Sequence, residues 1–354
     1  DKQISERQAA GSGLRTPEFA VMIAYTKNAN VTEIMRTDLP DDPALDEDLL
    51  AYFPTPLQER YRPYIHGHRL RREIKATQLV NQMVNLSGIS YDHRMTEDSG
   101  ASVTDVARAW LVTREVLDFP AWWAEIDHLE HMALDDQLAM YLDCRRTAER
   151  CSMWFLRHRR PPVDVAAEVA RFREPVRALA DDLHERLRGP IAEAMADLAD
   201  QRRAQGVPDS LANRSTVWRV LHTAFDIVEL ARRFDIDHEV VADTYWEIFA
   251  RLELLWVWEA IGALPRSDRW QTQARSALRD DLLALLSALT GNVIEFDGGG
   301  RGAVERWIAA NQRSVDRATQ QLTEIRRAES FDITNMSVVL RQLRNLAQTS
   351  VRGV

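Results

Sequence analysis

Apolar positions recur three and four residues apart along almost the whole of the 354-residue chain, the period that lays one apolar stripe along an α-helix. Residues 68–88 carry the pattern most instructively. Projected at about 100° per residue, Leu70, Ile74, Thr77, Asn81 and Val84 share one stripe, widened by Ala76, Val80 and Met83. A helix over this stretch would be roughly 30 Å long. Two features are unlike an ordinary surface helix. Charges crowd its first turns, with Arg69 and Glu73 four apart at the edge of the apolar face and Arg71 and Arg72 elsewhere around the axis. Asn81 and Asn85 lie on or beside that face, and a buried amide must find hydrogen-bond partners. Arg69, Arg72, Glu73, Asn81 and Asn85 are therefore the candidate interdomain or structural polar contacts. Arg72, Asn81 and Asn85 are expected to bond to neighbouring helices or to residues 11–60, not to a ligand.

Breakers and caps divide the rest of the chain into further helices. Thr16-Pro17-Glu18 predicts a start with a threonine cap, an early proline and an acid against the helix dipole. Asp41-Asp42-Pro43 predicts the next start in the same way, and Pro54 and Pro56 stop it. Ser102 and Asp105 form a near capping box, and Pro120 opens another helix. Long helices are expected over 134–159, over 164–187 with a bend at Pro175, and over 270–289. Single runs are expected around 217–231, 240–255, 304–325 and 335–346, and only Val293–Phe296 reads as a strand. The fold class is all-α: a multi-helix bundle of long amphipathic helices with no substantial sheet.

Composition narrows the function classes. Apolar residues at 45% and charged residues at 28% describe a globular chain. A net charge of −9 argues against a nucleic-acid or acidic-membrane binder, and no apolar run approaches the roughly 18 residues of a membrane span. A start at Asp1 without methionine or leader suggests a piece of something longer. Cys144 and Cys151, seven apart on one expected helix, would stand about 10 Å apart along its axis, beyond disulfide reach. Two reduced thiols fit the cytoplasm. Ten tryptophans spread over most helices read chiefly as packing between them.

Motifs with chemical meaning are few. Val293–Phe296 followed by Gly298, Gly300 and Ala303 has the form strand, G-x-G-x-x-A, helix, but lacks the following strand and acid of a dinucleotide site. His128 and His131, three apart on an expected helix, fall short of the ligand number zinc needs, as does His66-Gly67-His68. The basic cluster Arg157–Arg160 suits a helix C-terminus. The residues alone point to a non-catalytic helical region with no cofactor or metal of its own.

Several segments together resemble the C-terminal region of the large NAD-specific glutamate dehydrogenases of bacteria. They are Gly13–Lys27, Asp38–Leu45 with Tyr52–Pro54, His68–Thr77 with Val84-Asn85, Gly100–Trp110 with Arg114–Val116, Arg159–Phe172, Ala260–Trp270, Ala277–Leu282, Trp307–Asn311 and residues 330–346. The chain departs from that pattern at Arg15-Thr16, where the family often reads Thr-Arg, and in its long glycine loop at 298–302. The resemblance implies that the catalytic domain, its NAD site and its catalytic residues lie upstream. It implies residues 1–62 as a helical junction after that domain, 63–160 as a first helical subdomain and 161–354 as a long-helix bundle. The implied role is structural or regulatory, with the catalytic domain of the same chain as partner inside a cytoplasmic homo-oligomer. A self-contained helical module for an anionic metabolite or a partner protein is the alternative.

Overall fold

The computed structural model describes residues 6–7, 9–327 and 331–349; the first residue of the 330–346 segment, and Asp1, lie outside them. Among the described residues the regular structure is helical, with no strand. The chain divides into two units, residues 1–128 with 141–173, and residues 129–140 with 174–354.

The first unit begins with α1 (Thr16–Met35), followed by two 3-10 turns at Leu39–Asp41 and Pro43–Leu45. Short helices α2 (Asp46–Ala51), α3 (Thr55–Gln58) and α4 (Arg62–His66) lead into α5 (Arg71–Ser87), α6 (Tyr91–Ser99), α7 (Val103–Leu117) and α8 (Phe119–Asp127). Two long helices, α9 (Leu134–His158) and α10 (Val165–Arg186), contribute residues to both units. The second unit continues with α11 (Pro190–Ala204), α12 (Asp209–Val217), α13 (Thr223–Phe234), α14 (His238–Arg251) and α15 (Leu255–Ala263). It ends with α16 (Arg269–Asp297), α17 (Arg301–Ala310), α18 (Gln312–Arg326) and α19 (Ile333–Thr349).

The helix starts show which cap signals the backbone uses. Ser102 Oγ accepts the Asp105 N–H at 3.1 Å, as the near capping box predicts. At α1 the cap falls on Arg15, not Thr16: the Glu18 carboxylate reaches back to the Arg15 N–H at 2.8 Å, and Thr16 is already helical. That bond holds the Glu18 carboxyl below the usual glutamate range. Asp42 starts a 3-10 turn, accepting the Ala44 N–H at 2.9 Å, and the α-helix proper waits until Asp46.

In α5 the buried face is rotated from the one the apolar pattern predicts. It consists of Lys75, Ala76, Leu79, Val80, Met83, Val84 and Ser87, a clean three-and-four spacing. Leu70 lies outside the helix and is 55% exposed, Thr77 is exposed and Asn81 sits half-buried at the edge. The physical reason is that two polar side chains count as interior here because each has a partner. Lys75 Nζ meets Asp46 at 2.5 Å, and Ser87 Oγ accepts the Trp110 indole N–H at 2.9 Å.

Three further expectations change. Val293–Phe296 is the end of α16, not a strand, because Leu286, Leu289, Thr290 and Val293 bury one helical face continuously. Gly298 then closes α16 at φ 73°, and Gly300 donates its N–H to Thr244 Oγ1 at 2.6 Å, so the glycine loop is clasped onto α14. A Cβ at Gly299 would stand 3.1 Å from that same Thr244 oxygen, which is why glycine serves there. α8 ends at Asp127, so His128 and His131 lie in a turn rather than on a helix. The runs expected around 217–231 and 304–325 are each broken, after Val217 and at Asn311.

Of the ten tryptophans, Trp110, Trp122, Trp154, Trp218, Trp246 and Trp307 are buried. In the second unit Trp218, Phe225, Tyr245, Trp246 and Phe249 form a large aromatic interior across α13 and α14 and the segment before them, the packing role expected of such residues. Trp270 is the exception at 73% exposure.

Candidate functional site

A dense charge arrangement lies in the first unit, on a segment with six carboxylates in eleven residues: Asp38, Asp41, Asp42, Asp46, Glu47 and Asp48. So many acids at short spacing repel one another. Two prolines and the fully buried Leu39, Leu45 and Leu49 fix the backbone, and cations from α5 and α7 neutralise the acids.

Arg72 pairs with Asp41 and donates to the carbonyl oxygens of Thr37 at 2.8 Å and Met35 at 3.4 Å. It thereby satisfies carbonyls at the negative end of α1. Lys75 takes Asp46 as described. Arg108 Nη2 meets Asp38 at 2.6 Å, with its Nη1 3.7 Å from Asp42. The most buried pair of the four is Arg114 with Asp48, 7% and 9% exposed, in which Arg114 Nη1 lies 2.9 and 2.8 Å from the two carboxylate oxygens. Gln82 completes a closed triangle by accepting from Arg114 at 2.7 Å and donating to Asp48 at 2.7 Å. The other edge of Arg114 holds Glu115 at 3.0 and 2.8 Å, and Glu115 also accepts from Arg173 at 2.8 Å.

A buried ion pair is not a large source of stability in itself, since desolvation offsets much of the attraction. Its value here is positional. Five of the six acids meet a cation of α5 or α7 at one place, while Glu47 reaches Arg62 of α4 at 3.5 Å, so the backbone of 37–48 has one register against α5 and α7. The resulting chemistry is that of a clamp, with donors and acceptors spent on one another.

Of the residues singled out in the sequence, Arg72 belongs to this clamp. Asn85 Oδ1 accepts from Lys27 Nζ at 2.8 Å, tying α5 to α1. Asn81 is half-buried, and Arg69 and Glu73 are exposed, with no ion pair between them among the described residues. Sequence reasoning passed over Lys75, Gln82, Arg108, Arg114 and Asp48. A signal was present: Lys75 sits at core spacing in α5, and Arg108 and Arg114 interrupt the apolar run 106–117.

Elsewhere, reactive side chains are subdued. Cys144 and Cys151 are free and fully buried, and burial pushes both thiols well up from the ordinary cysteine value, the opposite of nucleophile activation. In the basic cluster, Arg159 pairs with Glu168 at 2.9 Å and lies over Trp154, on which His158 also stacks. Among the described residues no three His, Cys, Asp or Glu side chains are grouped as metal ligands, and no helix is long and apolar enough to cross a membrane.

Comparison with known proteins places these features in a family context. The family model described as glutamate dehydrogenase, C-terminal, matches residues 11–345. The NAD-specific glutamate dehydrogenase of Mycobacterium tuberculosis is 36% identical over 358 residues, and that of Pseudomonas aeruginosa 34%, each alignment covering all of this chain. The enzyme of the same name from Halomonas elongata is 32% identical over 354 residues, covering 99% of the chain. The chain spans 22% of the length of each of these relatives.

Proposed function

The chain belongs to the glutamate dehydrogenase C-terminal family, and on that premise we propose that it is the non-catalytic helical module of an NAD-specific glutamate dehydrogenase. The parent reaction on this reading is the oxidation of L-glutamate by NAD and water to 2-oxoglutarate, ammonium and NADH. The NAD site and the catalytic residues then belong to the part of the enzyme outside this module. The observation that carries the reading is the alignment of the whole chain with a 22% portion of enzymes that bear that name.

The clamp supports a structural role within it. Arg72, Lys75, Arg108 and Arg114 are engaged with carboxylates of this chain, which suits a scaffold that holds a neighbouring domain in a fixed orientation. We extend the reading to a regulatory coupling between this module and the catalytic domain, in a cytoplasmic homo-oligomer. Truncating the parent enzyme before residue 60 tests it. Loss of assembly and of glutamate turnover is the expected outcome; unchanged expression, assembly and turnover would sink the idea.

A further inference from the structure

We infer that residues 52–71 form the surface by which this module seats on an acidic face of the catalytic part of the same polypeptide. The inference rests on the module reading above and adds to it the place and chemistry of contact.

Exposed apolar side chains are unevenly distributed. Of the twelve large ones exposed among the described residues, eight lie between Phe19 and Leu70, and five of these, Tyr52, Leu57, Tyr61, Tyr64 and Leu70, fall in the 52–70 stretch. That stretch has two sides. Inward, Ile65 packs with Leu49 and Leu50, and Phe53 and Ile74 lie against them. Outward, Tyr64 is 77% exposed, and Tyr61 meets it edge to face at 6.3 Å. The inner contacts hold the outer tyrosines in place, which lowers the entropy lost when they bind.

The charges name the partner. Residues 52–71 carry Arg60, Arg62, Arg69 and Arg71 against a single carboxylate, Glu59, in a chain of net charge −9. Only Arg62 of the four has an ion pair among the described residues, with exposed Glu47 at 3.5 Å. Tyrosine with arginine is the composition of interface hot spots. A second copy of this chain is disfavoured as occupant, because a two-fold contact sets like patches face to face and would oppose arginines to arginines. The portion of the relatives outside the match is most of their length, and an acidic face there answers the cationic segment.

The experiment uses the full-length enzyme with a photo-crosslinking amino acid at Tyr64, and at exposed Trp270 as the comparison position, followed by peptide mass spectrometry. The expected result is that position 64 crosslinks to an acidic peptide upstream of residue 1, and that Arg69→Glu with Arg71→Glu cuts this yield at least tenfold. Both side chains are exposed, so the melting curve of the 354-residue chain should not move. Crosslinks from position 64 into residues 52–71 of a second copy, or none while Trp270 crosslinks elsewhere, overturn the proposal. If truncation before residue 60 still abolishes turnover in that case, the module reading survives and only the docking surface is lost. Truncation without effect removes both.

Discussion

The acidic segment of the first unit and the aromatic interior of the second solve the same problem by different means. Around α13 and α14, position is set by volume: Trp218, Phe225, Trp246 and Phe249 are fully buried, and dispersion over large surfaces locks them. Around residues 38–48, position is set by pairing. Five of the six acids lie within ion-pair distance of Arg72, Lys75, Arg108 or Arg114, and little apolar volume is involved beyond three leucines. The lesson concerns failure. A packed interior that loses volume relaxes only partly around the cavity and is weakened in proportion to what was removed, whereas a buried charge that loses its partner is left uncompensated although no volume need be lost.

That contrast can be broken or sharpened by measurement. Trp246→Ala should destabilise the chain most, by about 3–5 kcal/mol in urea denaturation; a loss below about 1 kcal/mol would show that the second unit is not held by packing. Arg114→Ala should cost about 3 kcal/mol or more by stranding Asp48. Combining Arg114→Met with Asp48→Leu should recover most of that loss, and failure to recover would mean that the clamp stabilises rather than positions. Ser102→Ala, which deletes the α7 cap but removes neither a clamp residue nor an interior aromatic, should cost about 1 kcal/mol.

A pH titration gives a smaller effect with a definite sign. Because the Glu18 carboxyl titrates lower in the folded chain than unfolded, its contribution is present above the ordinary glutamate range and is lost as pH falls through the folded value. Glu18→Gln should flatten stability in that acidic window and leave neutral pH nearly unchanged. Smallest of all, Arg69→Ala should alter the stability of the isolated chain by no more than about 0.5 kcal/mol, since Arg69 is exposed and unclamped.

The helical architecture was legible from three-and-four spacing, and Ser102 and Pro120 marked helix starts within a residue. Reading failed where polarity and burial parted company. The expected stripe of α5 omits Lys75 and Ser87 and takes in Leu70 and Thr77; the partners that let the first two be buried, Asp46 and Trp110, are 29 and 23 residues away in sequence. The pairing within the clamp was hidden for the same reason, since Arg114 and Asp48 are 66 residues apart. Val293–Phe296 misled because a short apolar run fits strand and buried helix alike, and only the helical register from Leu286 onward separates them. Asn85 was found because an amide beside an apolar face asks for a partner, and Arg72 because charges crowd the first turns of that helix. Arg108 and Arg114 posed the same question within α7.

Cys144 and Cys151 give the first unit a chemical clock. They are the only cysteines of the chain, both fall within residues 141–173 of that unit, and burial disfavours the thiolate of each. Alkylation needs access and a thiolate together, so its rate on the native chain counts excursions in which α9 leaves its shelter. The second unit, lacking thiols, contributes no background. Local opening of one half of the molecule can therefore be timed with iodoacetamide and a mass spectrometer, without introducing a label or altering a residue.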